Sequence, residues 1–134
     1  MTAITASIDR STFVRRVLLV DAATCVAMGL LLSLASDMLS PLLELPSALL
    51  QYAGLSLFPI AAFMAWVAMG PNLSRLGVGL VIAGNALWVV ASIVLLVSDW
   101  VDPNLLGYVF VIAQAATVVL LAELEYVGLR KVAS

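Results

Sequence analysis

VLLVDAATCVAMGLLLSLASD, residues 17–37, is the stretch whose reading decides the fold. It is apolar and long enough to cross a bilayer as a helix, and it carries a second pattern. Asp21, Cys25, Gly29, Ser33 and Asp37 recur at every fourth position. On a helix that spacing forms one continuous stripe of small or polar groups. Lipid gains nothing from such a stripe, so it is expected to face other protein. The remaining apolar stretches then read as what covers it.

Composition agrees. Of 134 residues, 64% are hydrophobic and 10% are charged, and the mean hydropathy is +1.18. Soluble domains average about 25% charged residues. A chain this short has too little interior to bury so much apolar side chain away from water, so the bilayer is the expected solvent for most of the surface. Eight acids and six bases leave no basic footprint for nucleic acid. A single cysteine, Cys25, excludes an intramolecular disulfide. With no histidine, haem ligation and most zinc chemistry are not expected, and neither a cofactor nor a metal is.

Outward from the central stretch, the polar segment 1–12 reads as a tail with a short interfacial turn. Arg10, Arg15 and Arg16 precede the apolar run and resemble a signal-peptide start, with Ser33-Leu34-Ala35 in place of a cleavage site. The run is too long for that and holds Asp21, so it is expected to stay as a helix over about 13–37. Ser40-Pro41 reads as a cap and first position of a short interfacial helix, about 41–45. The second membrane helix is expected over about 47–69, bent at Pro59 and closed by Gly70-Pro71. Ser74 should cap the third, about 75–98. Asp102 should cap the fourth, about 104–129, with Pro103 at its first position. The expectation is one all-α domain over 1–134, an integral membrane four-helix bundle.

The cationic residues orient it. Arg10, Arg15, Arg16, Arg130 and Lys131 lie at the chain ends and Arg75 in the middle turn, all on one side of a four-span layout. The other turns hold Asp37, Glu44, Asp99 and Asp102 and no base. The positive-inside rule puts both termini in the cytoplasm, in a bacterial inner membrane with the acidic turns outward. Ser36-Asp37-x-x-x-Pro41 is echoed by Ser98-Asp99-x-x-x-Pro103, which reads either as a parallel two-helix repeat or as like capping at two turns.

The candidate binding residues are the polar groups within the spans. Asp21 lies roughly 6 Å inside the cytoplasmic edge by helical rise. It is either a proton or cation site or the partner of Arg15, Arg16 or Arg75 snorkelling inward. Asn85 and Gln114 fall near the middle of their helices and are expected within hydrogen-bonding reach, with Trp88 and Ser92 on the face of Asn85 and Thr117 on that of Gln114. Glu123 and Glu125 are two residues apart and point about 200° apart, so only one can face the interior. Glu125 shares the face of Gln114. Either acid joins Asp21 in a two-carboxylate site or pairs with Arg16 or Arg130. Cys25-x-x-x-Gly29-x-x-x-Ser33 and Gly79-x-x-x-Ala83 are seams for close helix approach, between the first and third helices or between two copies. Trp100, Tyr108 and Tyr126 read as interface anchors.

Through Arg15-Arg16, Asn85-Ala86-Leu87-Trp88 and Ala122-Glu123-Leu124-Glu125-Tyr126 the chain resembles small four-helix inner-membrane proteins of proteobacteria. That resemblance implies the fold and the membrane, and no activity. Size, span number, Asp21 and Trp88 also resemble small multidrug-resistance transporters, whose members tend to a weak charge bias where the bias here is complete. The expected function is that of a non-enzymatic membrane protein that binds lipid, a small hydrophobic ligand or a membrane partner, including a second copy. The alternative is a small proton- or cation-coupled transporter using Asp21. A membrane enzyme has carboxylates for acid–base work but no nucleophile, ligand cluster or phosphate loop beside them.

Overall fold

The computed structural model describes the backbone of residues 2–133 and the side chains of residues 12–130. Those residues form helices α1 (Thr2–Leu34), α2 (Ser36–Leu43), α3 (Ser47–Met69), α4 (Arg75–Val97) and α5 (Leu105–Ala133). Four segments are long and apolar enough to cross a membrane: Thr12–Leu34, Ser47–Met69, Arg75–Val97 and Leu105–Arg130. The shortest have 23 residues, about 35 Å at 1.5 Å per residue. The expected all-α architecture of four spans and one short helix is present.

The helix boundaries depart from expectation at three places. First, α1 begins at Thr2 rather than near 13, because neither glycine nor proline interrupts the chain before Gly29. The side chains of the expected tail up to residue 11, and of Lys131, lie outside the described residues. Second, α1 stops at Leu34 and the short helix starts at Ser36, well before 41. Ser40 is therefore inside α2 and is not its cap; its hydroxyl donates to the carbonyl of Leu45. Glu44, in the left-handed region at φ 56°, ends the helix without a glycine. Third, Asn104 caps α5 in place of Asp102, its Oδ1 accepting the Gly107 N–H at 2.8 Å. The same side chain donates to the Leu42 carbonyl at 2.8 Å, clamping the end of α2 to the start of α5. Gly107 allows this clamp, since a Cβ there would run into the Leu43 carbonyl.

One expected cap is present. Ser74 caps α4, accepting the Gly77 N–H at 3.0 Å. Trp100, Tyr108 and Tyr126 are all exposed, and the Arg130 guanidinium lies 5.8 Å from the Tyr126 ring centroid. The letters shared by residues 36–41 and 98–103 take different structures: the first set is helical and the second is an irregular turn.

The core runs along α1. Val14, Leu18, Ala22, Cys25 and Leu32 recur at helical spacing and meet Leu50, Leu57, Ala61 and Met64 of α3. The polar stripe of α1 is what permits this. At Gly29 a Cβ would meet the Gly54 carbonyl oxygen at 2.9 Å, and at Gly54 it would meet Leu32 Cβ at 2.8 Å. The seam thus joins the first span to the second, a pairing that was not among the two alternatives the pattern offered. Gly79 of the other seam has nothing near its Cβ position, and Ala83 is exposed. Around the bundle the order is α3, α1, α5, α4, and α3 and α4 barely meet. Val67 against Gly77, beside their connecting turn, marks where they do.

Candidate functional site: a cleft over a buried acidic pair

Because α3 and α4 splay apart from their shared turn, a cavity of about 480 Å³ opens between them. All four spans line it. Phe63, Met64 and Leu57 of α3 face Leu80, Val81 and Trp88 of α4, with Met28 of α1 and Leu121 of α5 behind. Pro59, Leu80 and Gly84 line the cavity and are also exposed, so it opens sideways at the outer surface of the bundle. Pro59 sits within an otherwise continuous α3, where its ring forms part of the wall.

One wall of the cavity is polar. Asp21, Asn85 and Glu125 come from α1, α4 and α5 and are 2%, 6% and 0% exposed. Asn85 Nδ2 donates to Asp21 Oδ2 and to Glu125 Oε1, each at 2.9 Å. The carboxamide nitrogen, which carries both donors, thus faces both acids, and Asp21 and Glu125 also share a side-chain hydrogen bond. The Cys25 thiol donates to Asp21 Oδ1 at 3.8 Å. Glu125 Oε2 is buried with no hydrogen-bond partner among the described residues. A second layer lies further along the cavity. There the Trp88 indole N–H donates to Gln114 Oε1 at 2.8 Å, and Gln114 Nε2 donates to Ser92 Oγ at 3.0 Å.

Five of the six expected binding residues are therefore brought together. Asp21, Asn85, Trp88 and Gln114 line the cavity, and Glu125 stands behind Asn85. Glu123 is exposed, so Glu125 is the acid that faces the interior. Two expected contacts are not made. Asn85 and Gln114 share the cavity but bond in separate layers, Asn85 to the acids and Gln114 to Trp88 and Ser92. No described cation pairs with Asp21 or Glu125. Arg15 instead donates to the Ala68 carbonyl at 2.7 Å and to the Gly70 carbonyl, closing the last turn of α3. Gly70 is extended at ψ 150° rather than left-handed, because it precedes Pro71, and the arginine serves carbonyls that a glycine turn would otherwise serve.

Sequence reasoning missed Phe63 and Met64 as wall residues and the bridging role of Asn85. Depth counting was the available signal for the acids: Asp21 lies five residues after Arg16, and Glu125 five before Arg130. Asn85 lies ten residues after Arg75, which reads as deeper than it is. A second cavity, about 450 Å³, lies between α1, α2 and α5 and shares Met28, Gln114 and Thr117 with the first. Comparison with protein-family models, with curated proteins and with solved structures finds no match to this chain.

Proposed function

We propose that this chain is a non-enzymatic integral membrane protein that takes a small hydrophobic molecule from the bilayer into the cleft between α3 and α4. The observation that carries this reading is the cavity of about 480 Å³, open toward lipid and apolar on all sides but one. That volume falls in the range of roughly 300–1,000 Å³ usual for small-molecule sites, and a few fixed polar groups on apolar walls are the usual composition of such sites. The test is photolabelling of the protein in vesicles with adamantyl diazirine, a neutral hydrophobic probe, read by peptide mass spectrometry. Label should concentrate on Phe63 and the segment around Gly84, exceed that on the lipid-facing Trp66 and Leu87, and fall when Gly84→Leu fills the cleft. Even labelling over all lipid-facing positions would overturn the reading.

On this reading the membrane is a bacterial inner membrane with both termini cytoplasmic. Arg15 at the α3–α4 turn supports that orientation, because it gathers the cationic chain start and the turn bearing Arg75 at one end of the bundle. An impermeant thiol reagent in a Cys25→Ala background should label a cysteine at Trp100, which is 88% exposed, and spare cysteines at Thr2 and Ser134. Membrane lipid covers the outer apolar surface. The open face of α4 around Gly79 and Ala83 suits a second copy or another membrane protein.

A second reading, a proton- or cation-coupled transporter using Asp21, is favoured by one observation. The two cavities meet along Met28, Gln114 and Thr117, so movement there would join the acidic pair to the α2 end. Substrate-dependent flux in proteoliposomes, lost in Asp21→Asn with folding retained, would establish it over simple binding.

A further inference from the structure

The hydrogen-bond inventory of the cleft is one-sided. Six residues lining it carry donors: Thr24, Cys25, Asn85, Trp88, Gln114 and Thr117. Each is already committed to a protein acceptor. The hydroxyls of Thr24 and Thr117 donate to the carbonyls of Val20 and Ala113. The Cys25 thiol donates to Asp21, and both Asn85 N–H groups go to the acids. The Trp88 indole donates to Gln114, whose own amide donates to Ser92 and to the Val111 carbonyl. What remains for a ligand is acceptor capacity. Asp21 also shares a side-chain hydrogen bond with Glu125, and its Oδ1 accepts the Cys25 thiol only at 3.8 Å; Asn85 Oδ1, turned away from the acids that hold its nitrogen, has no partner among the described residues.

We propose that the ligand of the cleft is a lipophilic amine: a hydrophobic body bearing one ammonium, whose N–H groups seat on Asp21 Oδ1 and Asn85 Oδ1. This rests on the reading of the cleft as a hydrophobic binding site and adds the charge and bonding type of its occupant. A donor is required because the site offers acceptors. A cation is favoured over a neutral donor because Asp21 and Glu125, even with one proton shared in the hydrogen bond between them, leave an acidic charge that no described cation answers. A charge-assisted N–H bond at such a place is roughly twice as strong as a neutral one. It also gains from the low dielectric of the surrounding apolar wall. The aromatic walls fit the same occupant, since Trp88 and Phe63 can present ring faces to a cation and the indole is held in place by Gln114. Glu125 acts through Asn85: by holding one of its N–H groups it keeps the carboxamide oxygen free, so it is a positioning residue.

The experiment uses the full chain in lipid nanodiscs, titrated calorimetrically against empty nanodiscs. The probes are 1-adamantylamine, cationic at neutral pH, and 1-adamantanol, its neutral counterpart of nearly equal shape. The amine should bind saturably, at least tenfold more tightly than the alcohol. Asp21→Asn should weaken the amine at least tenfold and leave the alcohol unchanged. Glu125→Gln, which leaves Asp21 in place, should weaken the amine by a smaller factor. Gly84→Leu should weaken both probes, and it keeps every polar group. Equal affinity for amine and alcohol would overturn the cation assignment while leaving the hydrophobic site standing. Failure of both probes to bind saturably would overturn the site itself. If Asp21→Asn does not fold, as read by helical circular dichroism, the amine-to-alcohol ratio of the unaltered protein decides alone, and a ratio near one sinks the proposal.

Discussion

The two sides of α3 are built by opposite rules. Toward α1, Gly54 and Gly29 bring the backbones so close that neither position has room for a methyl group. Toward α4, the helices separate beyond Val67 and Gly77, and a Cβ built on Gly84 meets nothing within 4 Å. Glycine is present on both sides, so composition alone does not make a seam. What differs is whether small residues on one helix meet small residues on the other. On the closed side Gly29 meets Gly54. On the open side Gly84 looks across the cleft toward the bulky Phe63 and Met64 of α3. In lipid, where helix association relies on packing and a few polar contacts, that difference separates a fixed scaffold from a binding surface.

The largest way to break this comparison is to fill the closed side. Gly54→Leu would drive a side chain into Leu32 and the backbone at Ser33, both 2.8 Å from its Cβ position. Neither can yield as a side-chain tip would. We expect a loss of about 3 kcal/mol or more, since overpacking a tight contact costs 1–3 kcal/mol even where some relaxation is available. Unfolding of the purified protein in mixed micelles by sodium dodecyl sulfate, followed by circular dichroism, measures it. Gly84→Leu in the same assay should stay within about 0.5 kcal/mol of the unaltered protein, as substitutions clear of packed contacts do. Equal losses for the two would mean that the sides do not differ.

How much of this was legible in the sequence follows the same division. The closed side was written in the fourfold stripe from Asp21 to Ser33, although its partner, left open between the third helix and a second copy, is the second helix. Gly79-x-x-x-Ala83 carries the same letters as a true seam, and only the position of Gly54 on α3 tells which helix answers Gly29. The spans were legible because length and hydropathy set them without reference to tertiary contacts. The site was legible in its members and not in its pairings. A polar residue within an apolar span announces that it needs a partner, but the partner depends on how far each helix is shifted along its axis. Asn85 is the case in point: counted from Arg75 it belongs with Gln114, and the structure pairs it with the acids. The ends of α2 and α5 were misread because Ser-Pro and Asp-Pro fit a helix start in isolation, while Asn104 is selected by a carbonyl 62 residues away.

The second expected effect concerns the polar wall of the cleft. Asn85→Leu removes both N–H groups from Asp21 and Glu125 and leaves two buried acids against an apolar side chain. The cost should be about 1–3 kcal/mol, the penalty for stranding buried polar groups, and not the slight change expected when one weak interhelical bond is lost. In an Asp21→Asn, Glu125→Gln background the same substitution should cost about 1 kcal/mol, as bonds to uncharged groups are worth less. A cost that is equal in both backgrounds would show that Asn85 acts through packing alone.

A smaller effect tests the end of the closed side. Arg15→Met keeps much of the apolar stem and withdraws the guanidinium from the Ala68 and Gly70 carbonyls. The last turn of α3 should lose about 1–2 kcal/mol of support, in line with a charge-assisted bond to carbonyls at a helix C-terminus. Hydrogen exchange measured by mass spectrometry should quicken in the α3–α4 turn while the Gly29–Gly54 contact stays protected. Faster exchange along the whole of α3 would mean that Arg15 holds the entire helix against α1.

The smallest effect has the opposite sign and is the finest probe of the open side. Gly84→Ala adds one methyl group where the structure has space, in the interior of α4. A glycine in a helix interior is about 0.5–1 kcal/mol worse than alanine because it gives up more backbone freedom on folding. With no clash to set against that gain, stability should rise by about 0.5 kcal/mol, the remainder being lost to the altered cleft surface. Gly29→Ala has the same intrinsic gain available and must lose it, because its methyl group would lie 2.9 Å from the Gly54 carbonyl oxygen. The two variants thus differ in sign for one physical reason, the presence or absence of a facing backbone. A gain at both positions would show that the closed side can open by a few tenths of an ångström. A loss at both would show that α3 and α4 close upon each other in the membrane, and the cleft would then not be the resting form.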